Sequence, residues 1–205
     1  MIKKKENTTE EQILNAATNV FQHKGMDGAR MQEIADTAGI NKAMLHYYYR
    51  SKQKLFEAVF KSAINLMAPK IIKIIETDEH LFDKIRNFTD KYITFISKHS
   101  FIPAFIIQEL NRNPDMIEDI IISKFENSVK EKLVAQIEEL IDKGEIRPIK
   151  PEQLLVNIVS LSIFPFIAKP LLSAVLQKDE KQYKQLINER KTHVAEFVIN
   201  AIKLK

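Results

Sequence analysis

Residues 25 to 52 read GMDGARMQEIADTAGINKAMLHYYYRSK. Within this stretch Met31, Ile34, Ala35 and Ala38 recur at i, i+3, i+4 and i+7, the spacing that lines one face of a helix. The pattern stops at Gly39, because the left-handed backbone that closes a helix strains glycine least. Asn41 then offers a side-chain oxygen to cap a third short helix carrying Ala43, Leu45 and Tyr48 or Tyr49. Two short helices joined by a glycine turn form a helix-turn-helix pattern, whose second helix has the size to lie in the major groove of DNA.

Upstream, Ile13, Leu14, Ala17, Val20 and Phe21 recur at helical spacing behind Thr8, Thr9, Glu10 and Glu11, and Gly25 ends the run. Downstream, Ser51 suits the cap of a longer helix with Leu55, Phe56, Val59, Ile64 and Met67, expected to end near Pro69. Beyond residue 80 the pattern stays helical. Leu81, Phe82, Ile85, Phe88, Tyr92, Phe95 and Ile96 make one stripe, and Ile122, Phe125, Val129, Leu133, Ile137, Leu140 and Ile141 another, closed by Gly144. Residues 152 to 176 are apolar on nearly every face, as in a helix packed on two sides, and a last helix spans about 179 to 204. The expectation is an all-α chain of about nine helices. A helix-turn-helix module occupies residues 1–50, with the motif at about 30–49, and a helical ligand-binding and dimerisation bundle occupies residues 51–205.

Composition agrees. The 205 residues hold 4 glycines where average usage would give about 14, which argues against a β-rich or loop-rich fold. Cysteine is absent, so thiolate metal sites, iron–sulfur clusters and thiol nucleophiles are excluded, and a reducing cytoplasmic setting is expected. Polar Glu6 to Gln12 follows the basic Met1 to Lys5 where a secretory signal would need an apolar run. The apolar stretch from Leu154 to Leu176 includes Asn157, Lys169 and Pro170, so a buried helix and no membrane span is expected.

Net charge is +4, and residues 1–56 carry 9 Lys/Arg against 6 Asp/Glu, so +3 of it lies in the short module. The segment from Ile40 to Phe56 holds Lys42, Arg50, Lys52 and Lys54 with no acidic residue, and three contiguous tyrosines add hydroxyl donors beside the cations. This is the chemistry that grips phosphates. Tyr48 and Tyr49 share the face of Leu45 and are expected in the module core, and Lys54 reads as a solvated charge. Lys3, Lys4 and Lys5 read as a solvated tail, with an arm on DNA as the alternative.

The stretch from Gly25 to Lys52 resembles the DNA-binding signature of tetracycline-repressor-type (TetR) regulators. The resemblance rests on the Ile34-Ala35-x-x-Ala38-Gly39-Ile40 core, the Lys42-x-x-Leu45-x-x-Tyr48-Tyr49 aromatic run and Ser51-Lys52. It implies a transcriptional repressor binding double-stranded DNA, with Gln32, Lys42, Ala43 and Met44 at positions that face base edges. His46, Tyr47 and Lys52 match positions that hold phosphates, and Arg30 and Asn41 are further backbone contacts. Members commonly carry Thr at the positions of Ala29 and Met44 and Gly at that of Ala43, so this reading surface is more apolar, and contact with a thymine methyl is a sensible use of it.

The same resemblance implies a homodimer through the last two helices, about 152–176 and 179–204, which suits a 152–176 helix too apolar for one buried side and a last helix with an apolar stripe of its own. It also implies a pocket among the middle helices for an unknown small apolar or amphipathic effector. Phe88, Tyr92, Phe95, Phe101, Phe105, Phe164 and Phe166 are candidate walls, with Gln108 or Glu109 as polar handles; ordinary core is the alternative for the same residues. The rival function is a DNA-bound regulator without a small-molecule inducer, whose bundle docks a protein partner. No phosphate-binding glycine loop, nucleophile elbow or zinc-protease motif occurs, so no catalytic residue, cofactor or metal is expected. Glu189, His193 and Glu196 have ligand spacing on the last helix but read as a solvated face. His80 and His99 read as helix-end residues.

Overall fold

The computed structural model describes residues 8–112, 115, 119, 120, 123, 124 and 127–204. Among these, ten α-helices and no strand are present. The chain divides into two compact units, with the break between Ile64 and Asn65.

In the first unit α1 (Thr9–Gly28) opens on a capping box: Thr8 Oγ1 accepts from the Glu11 amide and Glu11 Oε2 accepts from the Thr8 amide, at 3.3 and 3.0 Å. Gly25 kinks the helix at φ 67°, in the left-handed region expected of a glycine stop. Helix α2 (Met31–Ala38) closes at Gly39, φ 69°, with the Ile40 amide returning to the Ala35 carbonyl at 3.0 Å. Asn41 Oδ1 accepts from the Met44 amide at 2.7 Å and starts α3 (Lys42–Tyr48). Ile34, Ala35 and Leu45 are fully buried, so α2 and α3 turn one narrow stripe each inward. The unit continues past residue 50 because Leu55, Phe56, Val59 and Phe60 at the start of α4 (Lys52–Glu76) are buried as well, Phe56 edge-on to Phe21 at 4.5 Å.

Helix α4 does not end near Pro69; it runs through that residue to Glu76. Proline in a helix interior costs about 3 kcal/mol, and burial of Ala68, Ile71 and Ile74 around it offsets the cost. The exit of α4 is held by donors from elsewhere in the second unit: Lys84 Nζ reaches the Ile75 carbonyl at 2.8 Å and Lys132 Nζ the Glu76 carbonyl at 2.6 Å. Such cations satisfy carbonyls that have no partner within the helix and sit at the negative end of its dipole.

The second unit packs α5 (Leu81–Lys98) against α10 (Glu180–Ile202), with α8 (Pro151–Ile167) across both. Its core joins Leu81 and Ile85 to Leu154, Ile158, Val194 and Val198, and α7 (Asn127–Asp142) adds Leu133, Ile137 and Leu140. Helices α6 (Phe101–Arg112) and α9 (Lys169–Val175) lean on α8. Residues 121, 122, 125 and 126, and with them the expected Ile122 and Phe125 positions, lie outside the described residues.

The single apolar helix expected at 152–176 is two helices, α8 and α9, bent 78° at Ala168. Pro165 and Pro170 lack amide donors, which leaves carbonyls one turn earlier without helical partners. Residues of α10 reach two carbonyls here: Arg190 Nη2 donates to that of Leu161, four residues before Pro165, at 2.5 Å, and the Tyr183 hydroxyl donates to that of Pro165, just ahead of the bend, at 2.6 Å. Nor is α8 covered on two sides by the described residues. Leu154, Ile158, Ser162 and Pro165 are buried, whereas Val156, Val159, Phe164 and Ile167 are exposed. No single helix among the described residues is long and apolar enough to cross a membrane; α8 and α9 together have the length and composition but not the straightness.

Candidate nucleic-acid interface

Seven residues make α3, and only Leu45 among them is fully buried. Lys42, Ala43, Met44, His46 and Tyr47 all face solvent, Tyr47 with 84% of its surface free and Met44 with 42%. The Asn41 cap uses its carbonyl oxygen, so its side-chain NH2 still points outward as a donor. Arg30, at the start of α2, is exposed, and so is Gln32, whose amide donates to Asp36 Oδ1 at 2.8 Å. The fold thus places a cation, two apolar side chains, an imidazole and a phenol on the outside of one short helix, with two more polar groups beside it on α2.

Lys52 sits differently from its neighbours. Half-buried, it donates to the carbonyls of Asp27 and Ala29 at 3.3 and 3.1 Å, tying the start of α4 to the turn between α1 and α2. An ammonium has three donors, so one is left for an outside acceptor. Lys54 is exposed and pairs with Glu57 at 2.9 Å.

The two tyrosines expected in the module core part company. Tyr48 keeps 40% of its surface exposed, edge-on to Tyr47 at 5.7 Å. Tyr49 is half-buried, and its hydroxyl donates to Glu10 Oε1 at 3.1 Å. The helical stripe breaks because α3 ends at Tyr48; Tyr49 is extended at φ −134°, ψ 101°, so its ring leaves the helix face and crosses to α1. Burial, and then the Glu10 carboxylate, push this phenol up to about 12. Nothing in the local pattern singles out Glu10, 39 residues away.

Two family models cover this architecture: "Bacterial regulatory proteins, tetR family" matches residues 13–59 and "Tetracyclin repressor-like, C-terminal domain" matches residues 82–198. The chain belongs to the TetR family. YhgD of Bacillus subtilis strain 168, an HTH-type transcriptional regulator, is 25% identical over 177 residues, covering 86% of this chain and 87% of its own. IcaR of Staphylococcus aureus strain Newman, a negative transcriptional regulator of the biofilm operon icaADBC, is 22% identical over 177 residues, covering 85% and 92%. A crystal structure of a TetR-family regulator from Mesorhizobium loti superposes with a TM-score of 0.63 at 19% identity, covering 96% of this chain and 97% of that one. TetR-family members are DNA-binding transcription regulators, often repressors, that usually act as dimers, and this chain is a regulator and not an enzyme.

The expected effector residues of this TetR-family chain are placed unevenly. Phe88 and Tyr92 stack on α5 at 5.2 Å, nearly parallel, and Tyr92 and Phe95 are buried. Burial pushes the Tyr92 phenol up to about 12. His99, just past α5, lies 4.5 Å from the Phe95 ring and 6.2 Å from Phe101, and its Nδ1 is buried with no hydrogen-bond partner among the described residues. Phe164 is not with them: it is 53% exposed on α8. Phe166 packs with Tyr183 and Ile187. The side chains of Phe105, Gln108 and Glu109 lie outside the described residues. Of the last-helix carboxylates, Glu196 accepts from Arg86 Nε at 2.7 Å and Glu189 from Gln185 at 2.8 Å, while His193 stacks on Phe197 at 6.4 Å.

Proposed function

We propose that the chain is a ligand-responsive repressor that binds a palindromic operator as a homodimer. The observation that carries the DNA-reading part is α3, which buries Leu45 and turns Lys42, Ala43, Met44, His46 and Tyr47 outward. Lys42, Ala43 and Met44, with Gln32, address base edges. His46, Tyr47 and the remaining donor of Lys52 hold phosphates, with Arg30 and the amide of Asn41 in support. IcaR, named as a negative regulator, supports repression as the direction.

The dimer reading rests on the apolar side chains left uncovered on α8, α9 and α10, among them Val156, Phe164, Leu171, Val175 and Phe197. Patches of this kind on a soluble chain mark interaction surfaces, and two-fold pairing of like helices covers both copies at once. The aromatic side chains of Phe88, Tyr92 and Phe95, with the His99 Nδ1 that has no hydrogen-bond partner among the described residues, support a small apolar or amphipathic effector that carries a polar group. Helix α4 supplies the link, since it is one continuous helix whose first half belongs to the DNA-reading unit and whose end is gripped by Lys84 and Lys132. An effector that prefers the arrangement in which the two reading helices no longer match the operator releases the DNA. Shifting that balance from 1:99 to 99:1 takes about 5.5 kcal/mol of differential affinity.

Lys52→Ala is expected to lower the slope of log affinity against log salt by about one unit, across all DNA sequences. Because its ammonium also holds two carbonyls, a lower unfolding midpoint accompanies that change, and an unaltered salt slope removes Lys52 from phosphate contact. Met44→Ala is expected to change preference at one or two base pairs of the operator by about 1 kcal/mol while leaving the salt slope alone. A binding-site selection profile identical to that of the wild type would remove Met44 from base reading.

A further inference from the structure

We propose that Tyr49 is a positioning residue, whose hydroxyl, bonded to Glu10 in the first turn of α1, sets the tilt of the reading helix. The inference rests on the assignment of α3 to DNA reading and extends it to residues that touch no DNA. Helix α3 is thinly anchored: Leu45 is its one fully buried residue, and its amino end is fixed by the Asn41 cap. At the other end the Tyr49 amide still bonds to the Leu45 carbonyl at 2.8 Å, so the residue is coupled to the last turn of the helix, while its side chain reaches a different element. A helix of seven residues is about 10 Å long, so a slip of about 1 Å at this end tilts it by about 5°. Base-edge contacts are set within about 0.5 Å, a tolerance that such a tilt uses up along the helix.

The bond has a fixed sense. Tyr49 holds its proton throughout the neutral range, so the hydroxyl donates and the carboxylate accepts. At 3.1 Å it is an ordinary hydrogen bond, and an uncharged acceptor oxygen at the same place can make it too. Glu10 is itself held in place, since it lies in the turn that the Thr8–Glu11 capping box fixes. Lys52 braces the neighbouring segment by its two carbonyl bonds. The exit from α3 is thereby tied to α1 on one side and to the α1–α2 turn on the other, and the Tyr49 tie is the one that ends on the reading helix itself.

The test measures binding of the full-length protein to a labelled duplex carrying the sequence that the wild type enriches from a random library. Tyr49→Phe removes only the hydroxyl and is expected to weaken binding about tenfold with an unchanged salt slope, at a temperature where circular dichroism finds both proteins folded. Glu10→Gln retains an acceptor oxygen and should bind like the wild type. Glu10→Ala, equally uncharged, should match Tyr49→Phe, and the double variant should bind no more weakly than either single one. Wild-type affinity in Tyr49→Phe overturns the proposal. So does a fall in salt slope of about one unit, which would make Tyr49 a direct phosphate contact. If Lys42→Ala and Met44→Ala are also without effect, the assignment of α3 to DNA reading falls as well; if they weaken binding while Tyr49→Phe does not, only the tether falls.

Discussion

Phe197→Glu is expected to convert the protein to a monomer and to lower its affinity for a palindromic operator by about 10² to 10³. Phe197 has 59% of its surface exposed on α10, beside His193, and loses little of its environment within one chain when replaced. Surface substitutions of this kind shift stability by about 0.5 kcal/mol or less, so helicity and unfolding midpoint of the isolated chain should hold. Across a two-fold interface the same change buries a carboxylate in each copy without a partner, which costs several kcal/mol. The affinity loss follows because a second half-site contact made within a dimer gains from its high effective concentration, and a monomer has no such gain. Sedimentation and operator titration read the two effects separately. A variant that remains dimeric places the interface away from α10.

The second large effect is in the reading unit. Phe56→Ala removes a side chain that is 1% exposed and edge-on to Phe21, itself fully buried. Large-to-small changes of a buried phenylalanine cost about 3 to 5 kcal/mol, a large part of the stability of a domain, about 5 to 15 kcal/mol. DNA binding should therefore fall steeply on mild warming. The bulk of the far-ultraviolet signal should persist, because most helical residues belong to the second unit. An unchanged unfolding profile would mean that the Phe21–Phe56 contact does not hold the unit together.

The parts of the molecule legible in the sequence are those fixed by neighbours within four residues. Gly39 closes α2, Asn41 caps α3, and the Thr8–Glu11 box opens α1, each by a bond that the chain's own spacing specifies. The prolines were not legible in the same way. Pro69 and Pro170 carry the same local signal, yet α4 passes through the first and the chain turns 78° just ahead of the second. What differs is the burial around them: Ala68, Ile71 and Ile74 are buried beside Pro69, whereas the helix that carries Pro170 has no buried residue. The candidate contacts of α3 were legible because a short helix with one buried residue exposes the rest. The links from Lys52 to Asp27 and Ala29, and from Tyr49 to Glu10, span 23 to 39 residues and follow only from the fold. Phe164 looked like a wall of an internal pocket because its spacing in an apolar run is the same whether the helix is covered by its own chain or left open, and here it is exposed.

On the proposed reading, two copies of α3 read DNA together. Selection of bound fragments from a genomic library by the purified full-length protein tests it most directly. The expected result is enrichment of an inverted repeat whose half-sites are centred about one helical turn apart, roughly 34 Å, with loss of preference at one or two symmetric positions in Met44→Ala. Recovery of no common sequence, or of a single unrepeated element bound by a monomer, would contradict it.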